Sequence, residues 1–250
     1  MDSLCSRDSQ AVSQSLWNVI RPGQDSARPA WLYRLSGNLD QDEQSEIILW
    51  YRTGTYDDAG SALWFDRNGE NWQLMGEVFL DFLHGENPPR IDSALQALVV
   101  YSYGWGSGFG SVCLHFYRHK DSITEVLSMI ENEGLSMMSS GGAFRHISGT
   151  YQRLSDSSLV VSYVYQVICN DEGKHQNDLV FSEKVSIPYF WNSTENAFIP
   201  RPPAGLSASD FGPYWDGEST LDPYFGPKLE KIRNKGPKWK RACLGRWVGE

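Results

Sequence analysis

The sequence predicts a mainly β fold of antiparallel strands, and three observations lead to this prediction. The 250 residues include 10 Trp, 12 Tyr and 11 Phe, side chains that suit the pleated, half-buried surface of a sheet. Short apolar segments recur along the chain and are separated by turn residues such as Asn-Gly. Hydrophobic residues make up 40% and charged residues 21%, a balance typical of a globular chain that buries a core.

Residues 1–29 are predicted to form a short helix and a lead-in to the β domain. Val12, Leu16, Val19 and Ile20 fall on one helical stripe, and Pro22 ends it. Such an amphipathic helix is expected to pack against a larger element.

Residues 30–200 are predicted to form one β domain. Asn68-Gly69 lies between two apolar runs and is a strong signal for a type I′ hairpin. The glycine-rich segment GWGSGFGS is predicted to join two strands, and Asp156-Ser157-Ser158 is predicted to join two more. Further strands are predicted in the segments AWLYRLSG, SEIILWYRTG and LVFSEKVSIPYFWNSTENAFI.

Two segments fit either a strand or a helix. GEVFLDFLHG alternates at its even positions and is predicted as a strand, although its apolar residues also fit a helix. In ITEVLSMIENEG, Ile123, Val126, Leu127 and Ile130 have helical spacing and Gly134 supplies a stop, so a helix is predicted here with a strand as the alternative.

Residues 201–250 are predicted to form an irregular extension, because proline and glycine are frequent from residue 200 onward. Residues 227–250 hold eight Lys or Arg against two Glu, a local balance of +6, while the whole chain carries −9 and residues 1–226 therefore carry −15. The acidic total argues against a nucleic-acid-binding protein. We expect the basic tail to pack on the acidic body, with docking on an acidic partner or a membrane surface as the alternative. No apolar run is long enough to predict a membrane span.

The four cysteines, Cys5, Cys113, Cys169 and Cys243, contain no CxxC pair, so a zinc site is not expected. Their even number permits two disulfides, and Cys5–Cys243 with Cys113–Cys169 is one of three connectivities; four reduced cysteines are the alternative. The segment MDSLCSRDSQ has no signal-peptide pattern. We expect a periplasmic or secreted protein from the aromatic β composition and the cysteine placement, and a cytoplasmic protein is the alternative.

An acidic segment, GNLDQDEQSEIILW, precedes an apolar strand. Alternate oxygen-bearing residues on a tight loop are ligands of the kind that calcium requires. The candidate ligands are the side chains of Asn38, Asp40, Asp42 and Glu46 together with the backbone carbonyl of Gln44. The alternative, which we expect, is a polar turn that holds no ion.

This loop resembles the calcium loops of FG-GAP (integrin-type) β-propeller repeats, in which an Asp- and Gly-rich loop leads into a strand. The likeness rests on Gly37, Asp40, Asp42, Glu46 and the following strand. Asn38 stands in place of a carboxylate, and Gln41 and Glu43 stand in place of two glycines. The resemblance extends loosely over residues 30–200 and implies an incomplete β-propeller-like domain; a β-sandwich is the alternative architecture.

Tyr103, Trp105 and Phe109 surround the glycine-rich turn and are predicted to form a contact surface for a partner. The same turn lacks the Lys-Ser/Thr ending of a phosphate-binding loop. His115 and His119 are predicted to share one face of a strand with Tyr117 between them, and we interpret them as surface or cross-strand residues and not as metal ligands.

The sequence contains no GxSxG elbow or other motif for a catalytic nucleophile, so we predict that the protein is not an enzyme. Missing catalytic motifs, an aromatic turn and an acidic body favour an exported protein-binding module. An inhibitor or immunity protein that neutralises a basic cell-envelope hydrolase or toxin is the most specific form of this prediction. The alternative is a carbohydrate-binding or glycan-processing protein, because tryptophan and tyrosine stack on sugar rings.

Overall fold

The computed structural model describes residues 29–39, 44–53, 60–68, 71–80, 89–106, 109–119, 122–136, 142–169, 175, 177–207 and 221–245. The helix expected near residues 12–20 lies outside these ranges. Within them the chain forms twelve strands and two helices: β1 Pro29–Gly37, β2 Glu46–Thr53, β3 Gly60–Asn68, β4 Asn71–Leu80, β5 Arg90–Asp92, β6 Ala97–Gly106, β7 Phe109–His119, β8 Ile123–Ser136, β9 Ala143–Ser155, β10 Ser158–Cys169, β11 Leu179–Asn192, β12 Ala197–Pro200, α1 Asp222–Lys235 and α2 Lys238–Gly245.

The strands form two antiparallel sheets, so the predicted mainly β fold is confirmed. One sheet has the order β1-β2-β3-β4 and the other has the order β12-β11-β10-β9-β8-β7-β6-β5. Within each sheet every strand is hydrogen-bonded to the strands next to it in the sequence, the chain passes from one sheet to the other between β4 and β5, and the described strands of neither sheet close on themselves. Neither helix in the described part of the chain is long and apolar enough to cross a membrane.

The chain divides into two compact units, where the sequence predicts one β domain. Unit 1 contains the described residues up to Tyr103 together with His115–Leu127, and unit 2 contains Gly104–Leu114 and the described residues from Ser128 onward. Strands β6, β7 and β8 contribute residues to each unit.

The core of unit 1 lies between β1–β4 and the first residues of β6. Its fully buried members include Ile48, Trp64 and Leu98. Ile91, Tyr117 and Ile123 are partly buried and pack against the same cluster. Apolar side chains at alternate positions of each strand supply this core because successive residues of a strand point to opposite faces of the sheet.

The core of unit 2 is built on β10, whose buried and half-buried residues alternate without interruption from Ser158 to Cys169. Tyr163, Tyr165 and Val167 are fully or almost fully buried on one face. Gly149 of β9 is required by packing, because a Cβ there would overlap the carbonyl oxygen of Ile130.

The predicted hairpins are confirmed. Asn68 pairs with Asn71 at the end of β3 and β4, and Ser155 pairs with Ser158 across the turn between β9 and β10. The glycine-rich segment joins β6 to β7. The segment GEVFLDFLHG is a strand as far as Leu80, and its remainder lies outside the described residues.

The predicted helix at ITEVLSMIENEG is wrong, and the alternative is correct: β8 runs as one strand from Ile123 to Ser136. Val126 and Leu127 are adjacent in sequence and both are buried, so side chains on both faces of β8 are covered at this point. A strand with apolar residues on both faces produces spacings that also fit a helix.

The predicted absence of regular structure after residue 200 is wrong for residues 222–245, which form α1 and α2. Pro223 lies in the first turn of α1, where a missing N–H costs nothing. Phe225 and Leu229 are four residues apart and are both buried, and the ring of Phe225 lies 4.6 Å from that of Tyr165. This burial outweighs the unfavourable helix propensities of Gly226 and Pro227.

The four cysteines permit three connectivities, and the pair that the structure shows belongs to a different connectivity from the one named above. Cys169 at the end of β10 is bonded to Cys243 of α2, with Cα atoms 5.7 Å apart. Cys113 is buried and does not take part in this bond, and Cys5 lies outside the described residues. Because the sequence predicts an irregular C-terminal segment, it does not predict that Cys243 lies beside the end of a strand.

Candidate functional site

Glu46 is the part of the acidic loop that the structure explains best. Its side chain is fully buried, and Oε2 accepts a hydrogen bond of 2.7 Å from the backbone N–H of Leu39. The carboxylate therefore closes the loop on its own backbone before β2 begins. One oxygen of the Glu46 carboxylate is thus engaged with the backbone of the loop.

The other predicted calcium ligands are less well defined. Asp40 and Asp42 lie outside the described residues, while Gln44 is exposed and Asn38 is half-buried. No cluster of three or more His, Cys, Asp or Glu residues that could hold a metal occurs in the part of the chain that the structure covers. Calcium binding by this loop therefore stays a prediction.

The predicted aromatic contact surface is only partly described. Tyr103 is 7% exposed and lies within β6, three residues before its end at Gly106. The Tyr103 side chain therefore packs in the interior and does not form an exposed contact. Trp105 is the last residue but one of β6 and Phe109 begins β7, and the placement of their side chains lies outside the description.

A different surface, formed by one aromatic and one aliphatic side chain, is exposed on β4. Trp72 and Leu74 are 47% and 51% exposed and lie two residues apart, so they share one face of the strand. Their neighbours Asn71 and Gln73 are exposed as well. β4 is an edge strand of the four-stranded sheet, and no other described strand pairs with its outer edge. The alternation of apolar and polar residues in WQL is visible in the sequence. Only the order of the strands shows that this segment lies at the edge of a sheet.

A β-bulge limits this exposed edge. The register between β3 and β4 shifts between Trp64 and Phe65, and Met75 is the extra residue on β4. Bulges at sheet edges interrupt continuous pairing with other chains. The exposed segment Asn71–Leu74 therefore lies at the end of a hairpin, bounded on one side by the turn and on the other by the bulge.

The structure brings together three residues whose combination was not expected. The hydroxyl of Ser102 lies 2.7 Å from Nε2 of His115, and Nδ1 of His115 lies 3.3 Å from Oε1 of Glu125. They stand on β6, β7 and β8, three neighbouring strands. The hydroxyl of Tyr117 donates to Oε2 of the same glutamate, and burial with the adjacent Glu125 charge raises the pKa of Tyr117.

Ser102, His115 and Glu125 are connected in the hydrogen-bond order of a Ser-His-acid triad. The Glu125 carboxylate contacts one ring nitrogen of His115 and the Ser102 hydroxyl contacts the other. Ser102 nevertheless lies in the middle of a regular strand, whereas nucleophilic serines are usually presented on a sharp turn beside backbone N–H groups that stabilise an oxyanion. The contacts with Ser102 and Glu125 can orient the imidazole of His115, as expected for a cross-strand histidine. His119 is buried and its ring lies 5.9 Å from that of Trp64.

A buried charged network lies in unit 2 below α1. Arg145 of β9 is 1% exposed and donates to both Glu133 of β8 and Asp222 at the start of α1. The hydroxyl of Tyr165 donates to the other oxygen of Asp222 over 2.5 Å. Burial and the neighbouring Asp222 charge raise the pKa of Tyr165, so its hydroxyl stays protonated. Asp222 lies 57 residues from Tyr165 and 77 residues from Arg145 in the sequence, so no local pattern predicts that these side chains meet.

No family model, curated protein or solved structure matches the chain.

Proposed function

We propose that this chain is a non-enzymatic binding protein that presents the exposed β4 segment to a basic protein partner. The observation that carries the proposal is the exposure of Trp72 and Leu74 on an edge strand. Tryptophan is the residue most often found at the energetic centre of protein interfaces. An edge strand in addition offers backbone N–H and C=O groups with which a partner strand can pair.

The charge of the chain supports a basic partner. The formal net charge is −9 and the isoelectric point is about 5.1. An acidic protein attracts a basic partner over a distance set by the ionic strength and increases the association rate. We therefore propose, as the specific role, an inhibitor or immunity protein that neutralises a basic cell-envelope hydrolase or toxin. The Cys169–Cys243 disulfide supports a periplasmic or secreted location, because such bonds persist in oxidising compartments.

A lysozyme-type muramidase is a suitable basic target for the first test. We expect the wild-type chain to inhibit peptidoglycan lysis at equimolar concentration, with an association rate that falls as salt is added. The double variant Trp72→Ala/Leu74→Ala should weaken binding at least tenfold. Leu154→Ala is the matched control, because Leu154 is 59% exposed on β9 in the other unit.

The outcomes separate the two parts of the proposal. Binding without inhibition would reject the inhibitor role and support the binding role alone. Absence of binding to the muramidase would reject this target class. Equal weakening by the β4 variant and by Leu154→Ala would show that the β4 segment is not the interface.

The non-enzymatic part of the proposal is tested at Ser102. A fluorophosphonate reacts with activated serines, and the modified residue is identified by mass spectrometry. Ser162 is the internal control, because its hydroxyl pairs with that of Ser186 at 2.8 Å and has no histidine partner in that contact. We expect no preference for Ser102. Labelling of Ser102 that disappears in His115→Gln would replace the binding role with a hydrolase.

Glycan binding is the second candidate function, and exposed Trp72 between polar neighbours is the observation that favours it. An indole face at the surface can stack on a sugar ring while adjacent amides donate hydrogen bonds. On a glycan array, binding that is lost in Trp72→Ala and kept in Leu74→Ala would favour this function over protein binding. A partner strand, by contrast, should depend on both side chains.

A further inference from the structure

The two helices and strand β10 surround a pocket that no part of the proposed function uses. Its volume is about 500 Å³, within the range of roughly 300–1,000 Å³ that is typical of small-molecule sites. Tyr165 of β10 lies on one side, α1 supplies most of the lining, and Leu244 of α2 completes it. All of these residues belong to unit 2.

The apolar part of the pocket consists of Leu229, Leu244, Pro227 and the ring of Tyr165. Leu229 and Leu244 are themselves buried, and the disulfide through Cys243 holds α2 in place beside them. An apolar wall on covalently anchored elements is suited to a preformed site, since a ligand need not order the helices when it binds.

Gly226 borders the pocket from within α1, where glycine lowers helix stability. A Cβ at this position would meet no atom within 4 Å, so packing against other parts of the described chain does not require a glycine. A larger residue here would extend into open space at the edge of the pocket.

The polar part of the pocket is mainly acidic. Asp222 is held in one orientation by Tyr165 and Arg145, and Arg145 also pairs with Glu133, so its charge neutralises Asp222 only in part. Glu230 stands at the rim, where Arg233 approaches it to 3.6 Å. Two carboxylates and one guanidinium thus line the pocket.

We propose that this pocket binds a small amphipathic cation, with its apolar or aromatic body against Leu229 and Leu244 and its ammonium group at the rim beside Glu230, within the field of the fixed Asp222 carboxylate. A fixed carboxylate in an apolar surrounding attracts an ammonium group more strongly than one in bulk water does. The exposed lysines of α1 and α2 attract anions, and they lie farther from the pocket than its own carboxylates. If their electrostatic field dominated, the pocket would bind an anionic ligand.

Three indole compounds that share one body distinguish these cases: tryptamine, tryptophol and indole-3-acetate. Titration of the full chain should give the tightest binding for tryptamine, at least tenfold weaker binding for tryptophol, and the weakest for indole-3-acetate. Glu230→Gln should reduce the preference for tryptamine several-fold and leave tryptophol unchanged, since only the ammonium group uses the rim charge.

Gly226→Leu tests the position of the ligand. The new side chain should occupy the pocket and weaken tryptamine binding at least tenfold, with an unchanged circular dichroism spectrum. Gly245→Leu is the matched control, because a Cβ at Gly245 also meets no atom within 4 Å but Gly245 does not line the pocket. Equal or tighter binding of indole-3-acetate, unchanged binding in Gly226→Leu, or no binding of any of the three compounds at millimolar concentration would overturn the proposal.

Discussion

At the scale of single residues, the structure shows how buried polar groups are satisfied by local backbone. Glu46 begins β2, yet its carboxylate is turned inward to the N–H of Leu39. Burial of a carboxylate is costly unless it accepts hydrogen bonds, and burial of an N–H is costly unless it donates one. The contact between the two groups lowers both costs and fixes the exit of the loop.

We expect Glu46→Gln to be tolerated and Glu46→Leu to be destabilising. Glutamine retains an acceptor oxygen for the N–H of Leu39, whereas leucine leaves that N–H without this acceptor, at a cost of about 1–3 kcal/mol. Urea denaturation measures the free energy of unfolding of both variants. Equal losses would show that the charge of Glu46, and not its hydrogen bond to Leu39, is what stabilises the loop.

Calcium should not change the melting temperature if the loop is a polar turn. A site formed by Asp40, Asp42 and Glu46 would instead add about 2.7 kcal/mol of stability at a calcium concentration one hundred times the Kd. Melting curves of calcium-loaded and EDTA-treated protein are compared, with Asp42→Ala as the control. A calcium-dependent rise that Asp42→Ala abolishes would establish the site.

Tyr165 should make the stability fall at alkaline pH. Its pKa is raised in the folded state by burial and by Asp222, while an unfolded tyrosine ionises near pH 10. Above about pH 10 the unfolded state therefore binds fewer protons, and the stability decreases with pH. Tyr165→Phe should flatten this slope by about one proton, or ~1.4 kcal/mol per pH unit. Denaturation from pH 8 to 11 checks the slope, and identical slopes would contradict the assignment.

At the scale of elements, the errors in prediction have two physical causes. The apolar spacing in β8 predicts a helix because burial on both faces hides the alternation that identifies most strands. The composition of α1 predicts irregular structure because Pro223, Gly226 and Pro227 are poor helix formers, and the burial of Phe225 that offsets them depends on a distant strand. The hairpins were predictable, since Asn-Gly and Asp-Ser turns act within a few residues.

The candidate sites were less predictable than the strands. The spacing of acidic residues identifies the acidic loop. It does not predict that the Glu46 side chain is buried and accepts a hydrogen bond from the N–H of Leu39. Arg145, Tyr165 and Asp222 come together only when the register of β9 and β10 and the position of α1 are known. No local pattern in the sequence encodes that combination.

Arg145 is expected to anchor α1 to the sheet. Arg145→Met would leave Glu133 and Asp222 without this buried cation, and loss of one partner from a buried ion pair costs about 3–5 kcal/mol. Arg153→Met is the control, because Arg153 pairs with the almost fully exposed Asp156 and should change stability little. Denaturation followed by circular dichroism compares the two variants. A loss for Arg145→Met no larger than that of the control would exclude the anchoring role.

At the scale of the whole molecule, the disulfide ties the C-terminal helix α2 to the end of β10. Cys169 and Cys243 are 74 residues apart in sequence, and closing a loop of this length lowers the entropy of the unfolded chain. We expect Cys169→Ser/Cys243→Ser to lose about 2–4 kcal/mol of unfolding free energy. Cys113→Ser is the comparison for replacement of a buried cysteine outside the bond. An unchanged melting temperature of the double variant in oxidising buffer would contradict the expected contribution.

The order of the strands in each sheet, which follows their order in the chain, also has a kinetic consequence. Each strand meets its partner after one short connection, so the sheets have low contact order, and low contact order favours rapid folding. Hairpins can therefore form one after another as the chain emerges from the ribosome. Cys243 follows all twelve strands in the chain, so the disulfide can form only after the eight-stranded sheet has been synthesised. Before that bond forms, α2 has no covalent link to the end of β10.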